Sequence, residues 1–469
     1  RQENLQMNQE AIFSDGTKEF RNPWEPEIGG RVTIRIRVAH KDEVKVFLLI
    51  KGFSLRDTPM LLDQETDIFD YYKVTLHLGK DMIRYLFKIV DEDEVCYFDS
   101  YGVSEEIRWQ YEFSIMPGFS TPDWAKGAVM YQILVDRFAN GDTSNDVLSN
   151  EYFYISTPVS KVTDWNKPPE KFDVTQFYGG DLAGVKDKLY YLKSLGVEVI
   201  YFNPIFVSPS NHKYDIEDYD YIDPHYGRVV EDGGELLAAG DNNNQHATRY
   251  IKRVTDHKNL EASNQLFIDF VEEAHEKGIK VILDGVFNHC GSYNKWLDRE
   301  RIYENATGYA KGAYVQKDSP YHNYFKFYKE TAWPYNASYD GWWGHDTLPK
   351  LNYEQSEELC NYIYHIGQKW VSPPYNADGW RLDVAADLGH TEEFNHKFWR
   401  GFRDAVKKVN PDAVILAEHY GDATSWLRGD QWDTIMNYDA FMEPVSYYLT
   451  GMEKHSDRFD KDALGDGKR

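Results

Sequence analysis

The chain predicts a multidomain fold. An N-terminal antiparallel β-sandwich comes first. A parallel α/β unit follows, which the motifs below resolve to an incomplete (β/α)8 TIM barrel with a subdomain inserted after its third strand. Three observations carry this. Residues from about 17 to 115 read as short strands, several alternating apolar and polar. From Lys126 onward, apolar strands alternate with amphipathic helices. The length of 469 residues exceeds one ordinary core, so two or three domains are expected. The boundaries fall at 1–118 for the sandwich, 119–469 for the barrel and 290–352 for the inserted subdomain.

The sandwich rests on VTIRIRVA (32–39), VKVFLLI, YYKVTLHL (71–78) and IRYLFKIV (83–90), separated by polar or glycine-bearing turns. Period two at that spacing is the mark of paired antiparallel sheets. Pro117-Gly118 and Pro122 then mark a linker.

In the barrel, AVMYQILV (128–135), VEVIYF (197–202), IKVILDGVF (279–287), ADGWRLDVA (377–385), AVILAEHY (413–420) and DTIMNY (433–438) read as buried strands. Helical periodicity lies between them. In SNQLFIDFVEEAHEKG (263–278), Leu266, Phe270 and Ala274 recur at i, i+4 and i+8; Ser263 is the expected cap and Gly278 the expected stop. Further helices are expected over 185–196, 356–370 and 392–408. Repeated βα units imply a parallel sheet, and periodicity alone leaves an open doubly wound sheet and a closed eightfold barrel both standing. Two long excursions, 227–261 and 290–349, interrupt the pattern; loops of that length carry function or form subdomains.

Composition narrows the function classes. A net charge of −25 argues against nucleic acid or an anionic membrane as partner. No apolar run is long enough to span a bilayer. Cys96, Cys290 and Cys360 suggest neither a disulfide framework nor a zinc cluster. Aromatic residues reach 16%, which fits either large cores or sugar stacking. RQENLQ reads as a non-native leader before Met7, so a cytoplasmic location is expected, with secretion the alternative.

The chemistry lies where charge interrupts apolar strands. The third strand ends in Asp284 and Asn288-His289, the fourth carries Arg381 and Asp383, and the fifth ends in Glu418-His419. All fall at C-terminal strand ends, the face where barrel enzymes build their sites. Arg381 and Asp383 are two apart, so both point to one side of a strand, and the cation is expected to hold Asp383 ionised. Glu418 follows the apolar run VILA; partial burial is expected to keep it protonated as an acid. A carboxylate nucleophile beside a carboxylic acid is the pair that retaining glycoside hydrolysis requires.

DGVFNH (284–289), GWRLDVA (379–385) and AEHY (417–420) resemble core motifs of the α-amylase clan, glycoside hydrolase family thirteen. LPKLN (348–352), NHKYDIEDYDYIDPHYG (211–227) and FYGGDLAGV (177–185) are similar to its neopullulanase, maltogenic amylase and cyclomaltodextrinase group. The N-terminal part resembles the starch-binding-type module of those enzymes. The resemblance implies Asp383 as nucleophile, Glu418 as acid/base and Arg381 as the arginine orienting the nucleophile. It implies that His212, Tyr214 and His289 line the subsite of the attacked glucose. His419, Trp343 and Asp387 are further expected substrate-binding residues; Trp342 and Trp343 are read as a stacking wall or part of a subdomain core. ANGDTSND (139–146) offers hard oxygen ligands. With the resemblance, Asn140, Asp142, Asn145, Asp146, Gly179 and Asp181 are the expected Ca²⁺ site.

Several departures qualify the match. The family's third carboxylate, an Asp after a His on the seventh barrel strand, has no counterpart here. The last two strands are not recognisable, so the chain is expected either to be a fragment of a longer enzyme or to be completed by a separate C-terminal fragment of the same protein, with the intact parent as the functional enzyme. Asp387 stands where the family often has Glu, and Ala386 where it often has Asn, so acceptor preference is open. The expected activity is retaining hydrolysis of α-1,4-glucosidic bonds in starch-type glucans and maltooligosaccharides, with pullulan and cyclodextrins as further substrates. Transglycosylation on α-glucans is the first alternative, and non-catalytic glucan binding on the same scaffold is the second.

Overall fold

The computed structural model describes residues 7–52, 56–92 and 94–451. It forms two compact units, Arg1–Ser120 with Thr424–Asp430, and Thr121–Ala423 with Gln431–Arg469.

The first unit is two antiparallel sheets. Arg31–Ala39 pairs along its whole length with Phe69–His77 in one sheet, and Lys45–Ile50 pairs with Ile83–Val90 in the other. Val32, Ile34, Ile36 and Val38 are fully buried, every second residue of their strand. They meet Val46, Leu48, Tyr85, Phe87 and Ile89 of the second sheet in one core. Each such aliphatic side chain contributes about 1.5–3 kcal/mol of burial, which explains why the period-two pattern sets the fold.

The second unit is built on a six-stranded parallel sheet whose spatial order follows the chain: Met130–Ile133, Val199–Phe202, Lys280–Gly285, Gly379–Leu382, Val414–Ala417 and Thr434–Ile435. The second, fourth and fifth strands are buried at every position, as expected of parallel strands covered on both faces. Helices α1 (Leu182–Asp187) and α2 (Leu189–Ser194) join the first strand to the second. Next come α3 (Thr248–Thr255), α4 (His257–Glu276), α5 (Glu357–Lys369), α6 (Glu392–Val409) and α7 (Glu443–Thr450).

Two helix expectations need correction. The single helix expected over 185–196 is two, interrupted at Lys188, which caps both. Helix α4 starts at His257 under an Asp256 cap, so Ser263 lies inside it. The Ser263 hydroxyl donates to Asn259 O at 2.8 Å and accepts from Arg228 N at 3.1 Å, tying the polar excursion to the helix. The excursion 227–261 is itself partly helical, because α3 and the start of α4 lie within it.

Residues 290–352 hold little regular structure. Tyr293, Ile302 and Tyr303 share a core with Val147, Tyr152, Tyr154, Leu237, Tyr250 and Val254. This region is therefore one packed body with the segments after the first and second strands. Among the described residues, no helix is long and apolar enough to cross a membrane.

Candidate active site

The site begins with register. Asp284 and Arg381 are direct partners on the third and fourth strands, so their side chains emerge on one face. Asp383 N–H continues the ladder to Gly285 O at 3.1 Å, and Glu418 N–H to Leu382 O at 2.9 Å. Asp383 and Glu418 thus stand one step beyond the C-terminal ends of adjacent strands.

The Arg381 guanidinium binds three carboxylates. Nη1 bonds Asp284 at 3.0 and 3.3 Å and Asp383 Oδ1 at 3.0 Å, while Nη2 pairs with Glu418 Oε2 at 3.1 Å. Asp284 is 1% exposed and also accepts from Tyr214 OH at 2.7 Å and Tyr201 OH at 2.9 Å. Its burial raises it, against the pull of Arg381 and the two hydroxyls. Asp383 moves well above the carboxylate range: burial and the Asp284 charge push it up, Arg381 pulls down, and Glu418 pushes up again. Arg381 pulls Asp383 down, as expected, but three carboxylates share that one cation.

Val384 locks the second carboxylate. Its backbone is left-handed, at φ 37° and ψ 48°, an outlier for a β-branched residue. That turn aims its N–H at Glu418 Oε2, 2.8 Å away. A strained peptide thus connects the residue after Asp383 to Glu418.

Neutral rings line the rim. His289 is buried, and burial lowers it to about 3. Its Nε2 lies 3.0 Å from Tyr214 O. Burial also lowers His212, whose Nδ1 accepts from Tyr214 N–H at 3.0 Å and whose ring stacks on Tyr214. Trp342 stacks on His289 with ring centroids 5.0 Å apart. Asp387 Oδ2 accepts from Trp342 Nε1 at 3.0 Å and Trp343 Nε1 at 3.4 Å. Trp343 is 79% exposed, so it belongs to no subdomain core. Lys350, of LPKLN, is buried between Asn288 Oδ1 and Asp387 O, and burial lowers it to about 8. His419 Nε2 bonds Asp422 O at 3.2 Å, within its own loop, and its ring lies near Trp432.

The structure therefore brings Arg381, Asp383, Glu418, His212, Tyr214 and His289 into one contact network, with Asp387 and Trp343 joined to it through Trp342. Sequence reasoning gave no role to Asp284, Tyr201, Val384 or Lys350. Asp284 carried a visible signal, a charge in an apolar strand; Val384 and Lys350 lie inside the quoted motifs GWRLDVA and LPKLN, and Tyr201 carried no signal.

The loop expected to bind Ca²⁺ is assembled, and most of its carboxylate oxygens already accept hydrogen bonds or an ion pair. Asp181 caps α1, accepting from Gly184 N and Gly141 N on one oxygen and from Asp142 N and Asn145 Nδ2 on the other. Asp142 Oδ1 accepts from Ser144 N. Asp146 Oδ1 accepts from Asn140 Nδ2 at 2.8 Å, and its Oδ2 pairs with Lys161 Nζ at 2.6 Å. The buried Asn145 Oδ1 has no partner and fits a cation. The Lys161 ammonium occupies Asp146 Oδ2, so a divalent ion would share that carboxylate with a second positive charge.

The comparisons give the family. The family description "Alpha amylase, catalytic domain" matches residues 132–246 and 260–460, and "Alpha amylase, N-terminal ig-like domain" matches 7–116. A cyclomaltodextrinase of Thermoanaerobacter pseudethanolicus is 32% identical over 97% of this chain and 69% of its own length. Neopullulanase 2 of Thermoactinomyces vulgaris is 35% identical over 84% of this chain and 56% of its own. The structure of a type III pullulan hydrolase from Thermococcus kodakarensis superposes with a TM-score of 0.59 at 25% identity, over 97% of this chain and 69% of that one. The chain thus spans between about half and two thirds of these relatives. With its Ig-like first unit, its parallel sheet and the carboxylates at that sheet's C-terminal edge, the chain belongs to the α-amylase family of glycoside hydrolases.

Proposed function

We propose that this chain carries the donor side of a retaining α-glucan hydrolase site, cleaving α-1,4-glucosidic bonds of starch-type glucans and maltooligosaccharides. One observation carries the reading: the two terminal nitrogens of Arg381 hold Asp383 and Glu418 at 3.0 and 3.1 Å. One guanidinium fork thus gathers the two carboxyl groups at the C-terminal edge of adjacent strands, the pairing that glycoside hydrolysis uses.

In this reading Glu418 gives its proton to the glycosidic oxygen as that bond to C1 breaks. The Asp383 carboxylate bonds C1 and forms a glycosyl ester. The leaving sugar departs with its new hydroxyl. A water then loses a proton to Glu418 and attacks C1, which releases Asp383 and restores the α configuration. Tyr214 offers the sugar an apolar ring face, and neutral His212 and His289 bond its hydroxyls. The calcium that the resemblance implies would find oxygens at Asn140, Asp142, Asn145, Asp146, Gly179 and Asp181 only with Lys161 displaced. The exposed Trp343 beside Asp387 favours transfer to a sugar acceptor as a second outcome of the same chemistry.

In the intact protein, Glu418→Gln is expected to lower kcat by roughly 10²–10⁴-fold and Asp383→Asn by at least as much. Proton NMR should show the α-anomer of the product first. Initial β-anomer, or Asp383→Asn with more than a few per cent of wild-type turnover, sinks the reading.

A further inference from the structure

We infer that Lys161 is the resident cation of the 140–146 loop: a tethered ammonium in the role that a calcium ion would otherwise fill there. Four observations support this. Lys161 Nζ pairs with Asp146 Oδ2 at 2.6 Å and donates to Tyr178 O at 2.9 Å. Asp146 is buried and its other oxygen is held by Asn140 Nδ2, so Lys161 supplies its positive charge. A Cβ built on Gly179 would meet Lys161 Nζ at 2.3 Å, Asp146 Oδ1 at 2.6 Å and Asn140 Nδ2 at 2.8 Å. The ammonium therefore sits against Asp146 and beside Asn140 and Gly179, three of the residues that the calcium expectation named, and there is no room for a side chain at Gly179.

The lysine arrives from outside that ring, on a backbone fixed independently of the loop. Ser160–Lys161 pairs in parallel with Gln176–Phe177. Lys161 N–H donates to Ser149 Oγ at 3.0 Å, and Val162 N–H to Phe177 O at 2.8 Å. The strand pair ends two residues before Gly179, so the side chain enters the loop over a short, anchored path. A tethered cation loses no translational freedom on folding and cannot be removed by a chelator. Its charge is single, which suits a loop where backbone and side-chain N–H groups already satisfy Asp181 and one oxygen of Asp146.

The test compares wild type with Lys161→Met and Lys161→Arg in the intact protein, by thermal unfolding in EDTA and in CaCl₂ and by terbium luminescence. Wild type should show the same Tm in both buffers and no sensitised terbium emission. Lys161→Met should melt several degrees lower in EDTA, recover in CaCl₂ and bind one terbium ion. Lys161→Arg should resemble wild type. One calcium or terbium ion bound by wild type, with a higher Tm in CaCl₂, overturns the inference. So does Lys161→Met with an unchanged Tm in both buffers. Should Lys161→Met not fold, the wild-type titration decides alone: a bound ion overturns the inference and its absence upholds it.

Discussion

Asp284 and Arg381 face each other as register partners on neighbouring parallel strands, and one guanidinium nitrogen bonds both oxygens of the Asp284 carboxylate. The same nitrogen holds Asp383. Asp284 therefore competes with the proposed nucleophile for one cation, and also anchors Tyr201 and Tyr214.

Replacing Asp284 should separate two effects. Asp284→Asn removes a negative charge that pushes Asp383 up, so the acidic limb of the kcat/KM profile should move to lower pH. Asp284→Ala strands a buried guanidinium contact and two hydroxyls, at a cost of about 3–5 kcal/mol by urea unfolding. An acidic limb that stays put in Asp284→Asn removes the electrostatic link.

Val384→Gly should stabilise the protein while weakening catalysis. A non-glycine residue at φ 37° stores about 1–3 kcal/mol, which glycine releases at some entropic cost. Glycine also loosens the peptide that holds Glu418 Oε2. A higher Tm with a lower kcat and little change in KM is the expected pattern, and an unchanged kcat argues that Val384 is strained to no purpose.

Asp387→Ala removes the acceptor shared by the Trp342 and Trp343 indole N–H groups. Asp387 is exposed, so the fold should survive. The ratio of transfer to hydrolysis products on maltotriose should fall, with total glycosidic cleavage lowered less than about tenfold. Chromatography of the products at two acceptor concentrations decides it.

His225 sets a stability window. Burial alone would lower it, but Glu151 and Asp223, bonded at 2.6 and 2.7 Å, raise it to about 9. The native state thus holds a proton that the unfolded chain releases near its ordinary value of 6.5. The stabilisation is complete below that value and is lost as pH rises towards about 9. Every tenfold difference in proton affinity between the folded and unfolded states is worth about 1.4 kcal/mol. Urea unfolding of wild type at pH 6 and pH 9.5 should show the decline, and His225→Gln should flatten it.

The strands were legible because a buried parallel strand is an unbroken apolar run, and a charge at its end stands out against it. Asp383 and Glu418 emerged in that way. What stayed hidden was everything set by register between strands. Spacing of two pairs Arg381 with Asp383, but only the sheet brings Asp284 and Glu418 to the same guanidinium. The start of α4 was misplaced because Ser263 resembles a cap, while its hydroxyl satisfies a carbonyl within the helix. The aromatic excess also proved ambiguous. Trp296, Trp370, Trp380, Trp399 and Trp432 are fully buried, whereas Trp343 is exposed beside Asp387. Lys161 could not be found from spacing, because its partner Asp146 lies fifteen residues away in a different local structure.

The core shared by Tyr293, Ile302 and Tyr303 with Tyr152, Tyr154, Leu237, Tyr250 and Val254 limits how this protein can be rebuilt. Transplanting 290–352 from a relative, to borrow its acceptor specificity, would bring in half of an interlocking aromatic interior. The recipient would keep most of the other half on residues 147–159 and 237–260. A working chimaera therefore needs all three segments exchanged together, although they are far apart in the chain.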